Sequence, residues 1–152
     1  MKVTFCITCW RRDVYLLDDR LFDIYHKQTS KPDEVLVIVS GVDKIPATKY
    51  AQENNLKIKF FRNQMLAGGA RNKGAELAGG DIVCFCDVDD PIHPQKCQIM
   101  RVVFSERDID AVVHNYQNKS KDFIKIEKNQ ILQGMEEITE YGGGSNVSAP
   151  SK

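Results

Sequence analysis

The sequence predicts an α/β fold built on a single open, mainly parallel sheet flanked by helices. Apolar runs at residues 3–8, 35–39 and 82–86 are typical of strands covered on both faces. Segments with helical spacing or helix-starting residues lie between these runs. Strands that alternate with helices indicate βαβ units, which place the strands parallel in one sheet.

The first half of the chain predicts three strands and two helices. Residues 3–8 form the first buried strand, and residues 13–25 carry apolar side chains at helical spacing. Residues 35–39 form the second strand. Pro46 suits the first turn of a short helix reaching about residue 54. The alternation over residues 56–60 is typical of a strand with one wetter face.

The second half repeats the pattern. Residues 65–74 are mostly small and lead into a helix that ends at Gly79. An apolar strand over residues 81–86 follows, and Pro94 suits the start of another helix, which runs to about residue 106. Two shorter strands are predicted at residues 111–114 and 123–126. We assign residues 1–141 to one domain and the small, polar residues 142–152 to a tail or linker.

Composition narrows the class of protein. The chain of 152 residues is long enough for one domain with a real core, and its 21 basic and 21 acidic side chains cancel. We therefore expect no nucleic-acid partner. No apolar run reaches membrane-spanning length, and the five cysteines lie mostly in strand-like runs. These features predict buried, reduced thiols in a cytoplasmic protein without a membrane span. Cys6-x-x-Cys9 as a redox or zinc motif weighs less, because Cys6 falls inside a strand.

Three carboxylates, Asp87, Asp89 and Asp90, directly follow the strand at residues 82–86. The carboxyl end of a parallel strand faces the crevice where α/β sheets bind ligands. Clustered carboxylates favour a hard divalent cation, Mg²⁺ or Mn²⁺, which a diphosphate can accompany. Three interpretations stay open at this point: a solvated turn, a phosphatase-type motif with Asp87 as nucleophile, and a metal-bound nucleotide-sugar site.

Three segments in register favour the last interpretation. They are the first strand with its exit Thr8-Cys9-Trp10-Arg11-Arg12, the segment Gly69-Ala70-Arg71-Asn72-Lys73-Gly74, and the run Asp87-Val88-Asp89-Asp90. Over roughly residues 3 to 115 their order and spacing resemble the GT-A glycosyltransferases of the family-2 type. The resemblance implies a nucleotide-binding half-domain with a mainly parallel sheet.

The resemblance also implies roles for individual residues. Thr8 and Trp10 would line the nucleotide pocket, with the indole against the base or ribose. Arg71 would contact the base or a phosphate, and Asp87 would hold the ribose or sugar. The full set of implied donor-binding residues is Thr8, Trp10, Arg11, Ser40, Asp43, Arg71, Asp87 and Val88. The metal, Mn²⁺ or Mg²⁺, would bind Asp89, with Asp90 assisting.

The sequence departs from the family pattern in two places. Family members carry a carboxylate pair at the end of the second strand, where this chain has Ser40 and Gly41, so Ser40 or Asp43 would substitute. The family's general base comes from a later acidic motif, and the last acids of this sequence are Glu136, Glu137 and Glu140. Their spacing indicates one helix face or a solvated helix end, so the catalytic residue stays unassigned.

These implications add up to an expected function. The domain would bind a UDP- or GDP-linked sugar with its metal and transfer the sugar to a carbohydrate or other hydroxyl acceptor, with inversion of configuration. The alternatives are a D-x-D phosphohydrolase and a non-catalytic or truncated donor-binding module. A homo-oligomer is a further expectation left open.

Overall fold

A computed structural model describes residues 1–114, 125–127, 130–132 and 147–150 of the chain. Within them one sheet has six strands in the order β3-β2-β1-β4-β6-β5. The strands are β1 Val3–Trp10, β2 Glu34–Ser40, β3 Leu56–Phe61, β4 Ile82–Asp87, β5 Val112–Val113 and β6 Val147–Pro150. Strands β1 to β4 are parallel, and β6 is antiparallel to both β4 and β5. The predicted open, mainly parallel sheet is therefore confirmed.

The helical segments cover both faces of this sheet. A continuous helical segment follows β1, with a 3₁₀ part at Arg11–Leu16, helix α1 at Leu17–Phe22 and a π turn at Asp23–Lys27. Helix α2 spans Ala67–Leu77, and helix α3 spans Lys96–Glu106. All of these lie where the sequence predicts helix, although the segment after β1 changes helical type twice.

The two faces of β1 belong to two separate apolar clusters. Side chains of alternate residues, from Val3 to Cys9, pack with α1 and α3, and the intervening Cys6 packs with α2. Every residue of β2 is buried as well, which identifies β1 and β2 as central strands. Strand β3 instead alternates between half-buried and exposed positions, with Lys57 and Lys59 exposed, as expected at the sheet edge.

The strand order creates one crevice in the sheet. From β1 the chain proceeds outward through β2 to β3, and then returns to place β4 on the other side of β1. The connection that leaves β1 runs to one side of this strand, and the connection into β4 runs to its other side. A crevice therefore opens between β1 and β4, beyond their carboxyl ends. Thr8 of β1 and Asp87 of β4 are register partners there.

Three sequence predictions differ from the structure. Residues 46–54 form turns and irregular backbone rather than a helix, because Thr48 and the Lys49 amide bind the Asp18 carboxylate of α1 and hold the segment in loop form. Residues 125 and 126 of the predicted last strand are not in a strand, while residues 123 and 124 lie outside the described residues. Part of the predicted tail, residues 147–150, forms β6; the boundary at residue 142 stays a prediction.

Among the described residues, no helix has the length and apolar character needed to cross a bilayer.

Candidate functional site

The crevice contains a three-residue contact centred on Asp87. The Thr8 hydroxyl donates to Oδ1 of Asp87 at 2.6 Å, and Nη2 of Arg71 donates to Oδ2 at 2.6 Å. Both carboxylate oxygens are therefore engaged, and the side chain is held in one orientation. The structure brings together three residues that the sequence assigned to the site from three distant segments.

Arg71 reaches this contact from the first half of α2. Its Nε is buried and has no hydrogen-bond partner among the described residues, so one donor of the guanidinium is left for a ligand. A Cβ added at Gly68 would meet nothing within 4 Å, and at Gly69 only Met65 at 3.9 Å. Packing does not demand glycine at either position, and the open space beside the helix start lets a ligand approach the backbone closely.

The acidic loop after β4 is fixed through its backbone. The Val88 amide donates to the Thr8 carbonyl at 3.0 Å, and the Asp90 amide donates to the Asp87 carbonyl at 3.1 Å. The Val88 carbonyl accepts from Nε of Arg20 at 3.0 Å. The Val88 side chain is only 2% exposed, so this predicted binding residue faces the core and contributes to the site through its main chain.

The other two carboxylates of the acidic loop are Asp89, which is exposed, and Asp90, which is half-buried. Across the described part of the chain, no group of three or more His, Cys, Asp or Glu side chains is arranged to hold a metal. Asp87 is already committed to Thr8 and Arg71. One or two carboxylates nevertheless suit Mg²⁺ or Mn²⁺ when substrate phosphates and water complete the coordination shell. The donor set fits a metal that arrives with a diphosphate.

A groove of about 550 Å³ lies beside this crevice, at the carboxyl ends of β1 and β2. It is lined by Arg11, Arg12, Val14, Gly41, Val42, Asp43, Lys44 and Pro46. Three cationic side chains against one carboxylate make the groove electropositive, and Asp43 is itself 3.8 Å from Arg62. The charge balance suits an anionic or electron-rich ligand.

Trp10 ends β1, and it lies next to Arg11 in sequence and against Gly41, both of which line the groove. The Arg12 guanidinium carbon lies 3.6 Å from the centre of the indole ring and covers one face of it. The indole Nε1 is buried without a hydrogen-bond partner among the described residues. Gly41, at φ 78°, follows β2, and a Cβ there would come within 3.3 Å of that nitrogen. A base stacking on the indole as predicted must use the other face or displace Arg12.

Ser40 lies next to Trp10 in the register of β1 and β2, but it does not reach the groove wall. Its side chain is buried, at 2% exposure. Of the two predicted substitutes for the family's carboxylate pair, only Asp43 lines the groove. The late acids Glu136, Glu137 and Glu140 lie outside the described residues.

Cys6 and Cys9 face opposite sides of the sheet, because three positions along a strand reverse the side-chain direction. Burial raises the pKa of both thiols to about 12, so each stays protonated at neutral pH. They therefore cannot act together as a redox or zinc pair. Cys84 and Cys86 share the face packed against α1 and α3, as expected for core residues.

Sequence reasoning missed the buried polar side chains that hold the loops around the site. Arg20 binds Val88, Lys96 donates to the Phe85 carbonyl at 2.9 Å, and Gln28 donates to the His93 carbonyl at 2.8 Å. A signal for Arg20 was present, because it lies on the same helical face as the apolar Leu17, Leu21 and Ile24. A charged residue within an apolar stripe needs a buried partner.

The fold and the crevice define a doubly wound α/β domain, a class of protein that binds ligands beyond the carboxyl ends of its strands. Residues 6–147 match the family model described as "Glycosyl transferase family 2". The chain belongs to this family, and the resemblance seen in the sequence is confirmed.

Two relatives in sequence are named as glycosyltransferases. EpsH of Bacillus subtilis (strain 168) is 36% identical over 111 residues, which cover 70% of this chain and 31% of EpsH. The amylovoran biosynthesis glycosyltransferase AmsB of Erwinia amylovora is 34% identical over 131 residues, covering 78% of this chain and 44% of AmsB. The chain thus spans less than half the length of the curated relatives it matches.

Solved structures share the fold at lower identity. S. aureus TarS 1–349 superposes with a TM-score of 0.61 at 19% identity, over 83% of this chain and 39% of TarS 1–349. The mannosyltransferase PcManGT from Pyrobaculum calidifontis, in complex with GDP-Man and Mn²⁺, gives a TM-score of 0.54 at 21% identity, over 72% of this chain and 34% of that chain.

Proposed function

We propose that this chain is the donor-binding part of a metal-dependent glycosyltransferase. It binds a nucleotide-diphospho-sugar across the carboxyl ends of β1 and β4, and the sugar passes to a hydroxyl group of an acceptor. The contact among Thr8, Asp87 and Arg71 carries this proposal, because it orients a carboxylate and a cation at the crevice of a family-2 fold. A preorganised carboxylate and guanidinium suit a sugar hydroxyl and a phosphate respectively.

The donor's diphosphate and its metal occupy the space next to this contact in the proposal. Asp89 would hold the ion, with Asp90 assisting, and Arg71, whose Nε has no hydrogen-bond partner among the described residues, would donate to the sugar donor. When bound, Mn²⁺ or Mg²⁺ acts as a Lewis acid that neutralises charge on the departing diphosphate, an effect of several kcal/mol. The basic groove beside Trp10 receives the base and ribose, with Arg11 and Asp43 on its wall.

The nucleotides bound in solved structures of similar fold indicate which nucleotides should be tested. TarS has been solved with UDP and with UDP-GlcNAc, and PcManGT with GDP-Man and Mn²⁺. Both nucleotides therefore belong in the test. The acceptor is a carbohydrate or another hydroxyl compound, and inversion of configuration follows the family resemblance.

Phosphohydrolase chemistry at Asp87 is the weaker alternative. A nucleophilic aspartate attacks phosphorus through one carboxylate oxygen, and a hydrogen bond donated to that oxygen lowers its nucleophilicity. Here Thr8 and Arg71 engage both carboxylate oxygens of Asp87, each at 2.6 Å. A donor-binding module without turnover stays an alternative that product analysis separates, because it binds the donor but releases no nucleoside diphosphate.

The decisive experiment is calorimetric titration of UDP, GDP, UDP-GlcNAc and GDP-mannose, each with Mn²⁺ and with a chelator. Wild type is compared with Asp89→Ala and with Asp108→Ala, a matched carboxylate removal at an exposed position beyond α3. We expect metal-dependent binding in wild type and Asp108→Ala and its loss in Asp89→Ala. Absence of binding to every nucleotide in wild type would contradict the proposal.

A further inference from the structure

Arg20 of α1 is a buried cation that links a helix to the acidic loop. Only 7% of the residue is exposed. Its Nη1 pairs with Oδ2 of Asp23 at 2.5 Å, and Oδ1 of Asp23 pairs with Nζ of Lys27 at 2.8 Å. Its Nε donates at 3.0 Å to the carbonyl oxygen of Val88. Asp23 balances the charge of Arg20 within the helical segment, while the Nε–H of Arg20 hydrogen-bonds to the loop after β4.

Stability alone gives a poor account of an arginine at this position. Taking a guanidinium and a carboxylate out of water costs several kcal/mol per ion before their attraction is counted, and apolar replacements are often neutral or stabilising. Arg20 shares its helical face with Leu17 and Leu21, where an apolar side chain would pack without that cost. The bond to Val88 is the contact that an apolar residue could not make.

That bond acts on the residue that precedes Asp89. The Val88 carbonyl and the Asp89 amide lie in one rigid peptide plane. The Val88 amide is already fixed to the Thr8 carbonyl, and its side chain is packed in the core. Two hydrogen bonds restrain rotation about the Cα–C bond of Val88: the Asp90 amide closes the turn on the Asp87 carbonyl, and Arg20 holds the Val88 carbonyl itself. Arg20 therefore contributes directly to the direction in which the exposed Asp89 leaves the sheet.

We infer that Arg20 is a positioning residue for the candidate metal site: by holding the Val88–Asp89 peptide it presents the Asp89 carboxylate in one direction. The inference rests on the proposed function for the identity of the ligand. The structural part of the inference, that a buried arginine orders the acidic loop, can be measured without any ligand.

The test uses two variants and a control. Arg20→Met with Asp23→Asn removes both buried charges together, so no unpaired ion is left in the core. Arg20→Lys keeps a charge beside Asp23 but has one nitrogen, which cannot serve Asp23 and Val88 in the geometry of a guanidinium fork. Lys27→Ala is the control, because it removes only the outer ion pair, whose lysine is 53% exposed.

Two readouts are compared. Amide hydrogen exchange of Val88 and Asp90, whose amides donate to the Thr8 and Asp87 carbonyls, reports the order of the loop in the ligand-free chain. Mn²⁺ affinity, titrated with UDP or GDP present, reports the metal site. In the double variant we expect faster exchange at both amides and roughly a 10- to 100-fold loss of Mn²⁺ affinity. Lys27→Ala behaves as wild type in both readouts.

Wild-type exchange and wild-type Mn²⁺ affinity in a folded double variant would overturn the inference. If the double variant does not fold, Arg20→Lys decides by the same two readouts, and wild-type values in it overturn the inference. If wild type binds no nucleotide, the proposed function fails separately. Exchange at Val88 and Asp90 then decides the role of Arg20 alone, faster exchange supporting it and unchanged exchange overturning it.

Discussion

Arg71 and Asp87 form an ion pair, with Nη2 of the arginine 2.6 Å from Oδ2 of the carboxylate. The pair connects α2, on one face of the sheet, to the end of β4 within the sheet. The hydroxyl of Thr8 on β1 donates to the other carboxylate oxygen of Asp87. Their side chains are 22% and 25% exposed, so the pair is partly shielded from water yet open to a ligand. The same contact thus contributes to the fold and shapes the candidate site.

A double-mutant cycle measures how strongly this pair contributes to stability. We expect Arg71→Met and Asp87→Asn to be coupled by about 1 kcal/mol in the free energy of unfolding, because the pair is partly shielded and geometrically fixed. Urea denaturation of both single variants and the double variant gives the coupling. The surface pair of Lys73 and Glu76 in α2 is the control, with an expected coupling below about 0.5 kcal/mol. Equal coupling free energies in the two pairs would show that the partly shielded position of Arg71 and Asp87 does not strengthen their interaction.

Removal of the predicted metal ligand should act on turnover rather than on folding. We expect Asp89→Ala to lower the rate of nucleoside diphosphate release from the preferred donor on the order of 10³-fold, about 4 kcal/mol, because charge on the departing diphosphate loses its neutralising ion. Asp89 is exposed, so the thermal midpoint should stay near that of wild type. Asp108→Ala should leave the rate unchanged. Unchanged metal-dependent turnover in Asp89→Ala would refute the assignment.

Much of the fold and the centre of the site could be predicted from the sequence. Strands β1, β2 and β4 are buried on both faces, so each leaves a continuous apolar run that needs no tertiary information to recognise. Thr8 and Asp87 stand at or next to the ends of such runs, and parallel pairing brings those ends together. Arg71 was reached only through the resemblance, because nothing local to α2 indicates its partner.

The errors arose where long-range contacts decide local structure. Residues 46–54 have a proline that suits a helix start, but the Thr48 hydroxyl bonds to Asp18 at 2.6 Å, a partner 30 residues away. Residues 147–150 are small and include a proline, yet their backbone pairs with β4. Main-chain pairing requires no apolar side chains, so the sequence carried no strand signal there. Arg20 was missed because its partner at Val88 is 68 residues away.

Gly74 of α2 packs closely against Cys6 of β1. A Cβ built at this position would lie 2.1 Å from Sγ of Cys6, a fully buried side chain with little room to move. We expect Gly74→Ala to destabilise the domain by about 1–3 kcal/mol through overpacking. Thermal or urea unfolding measures the loss.

The clash expected in Gly74→Ala involves a single atom, Sγ of Cys6, so a second substitution that removes this atom should relieve it. The next contacts of the added Cβ are Cys6 Cβ and Ile38 Cγ1, both at an ordinary 3.6 Å. Adding Cys6→Ala to Gly74→Ala should therefore restore stability, helped by the better helix propensity of alanine, up to ~1 kcal/mol. Gly68→Ala is the control, since a Cβ there meets open space. A double variant no more stable than Gly74→Ala would contradict the predicted close contact.

Glu34, the first residue of β2, makes stability depend on pH at the end of the sheet opposite the crevice. Its carboxylate accepts hydrogen bonds from the Thr4 hydroxyl and the Gly79 amide, each at 2.7 Å, and pairs with Lys57 at 2.6 Å. Burial works to raise the pKa of this carboxyl. The bonds from Lys57, Thr4 and Gly79 outweigh it and hold the pKa below its ordinary value of 4.5. The folded state therefore favours the charged form.

The sign of the effect follows from that lowered pKa. The stabilisation by Glu34 is fully present above the ordinary pKa of 4.5 and is lost as the pH falls through the lower pKa of the folded state. We expect the difference in unfolding free energy between wild type and Glu34→Gln to be largest near pH 7 and to shrink below about pH 4.5, measured by urea denaturation down to about pH 3. Glu76→Gln, on the surface of α2, should differ little from wild type throughout. If the difference in unfolding free energy between wild type and Glu34→Gln stayed constant down to the lowest pH, packing of the side chain, rather than its charge, would provide the stability.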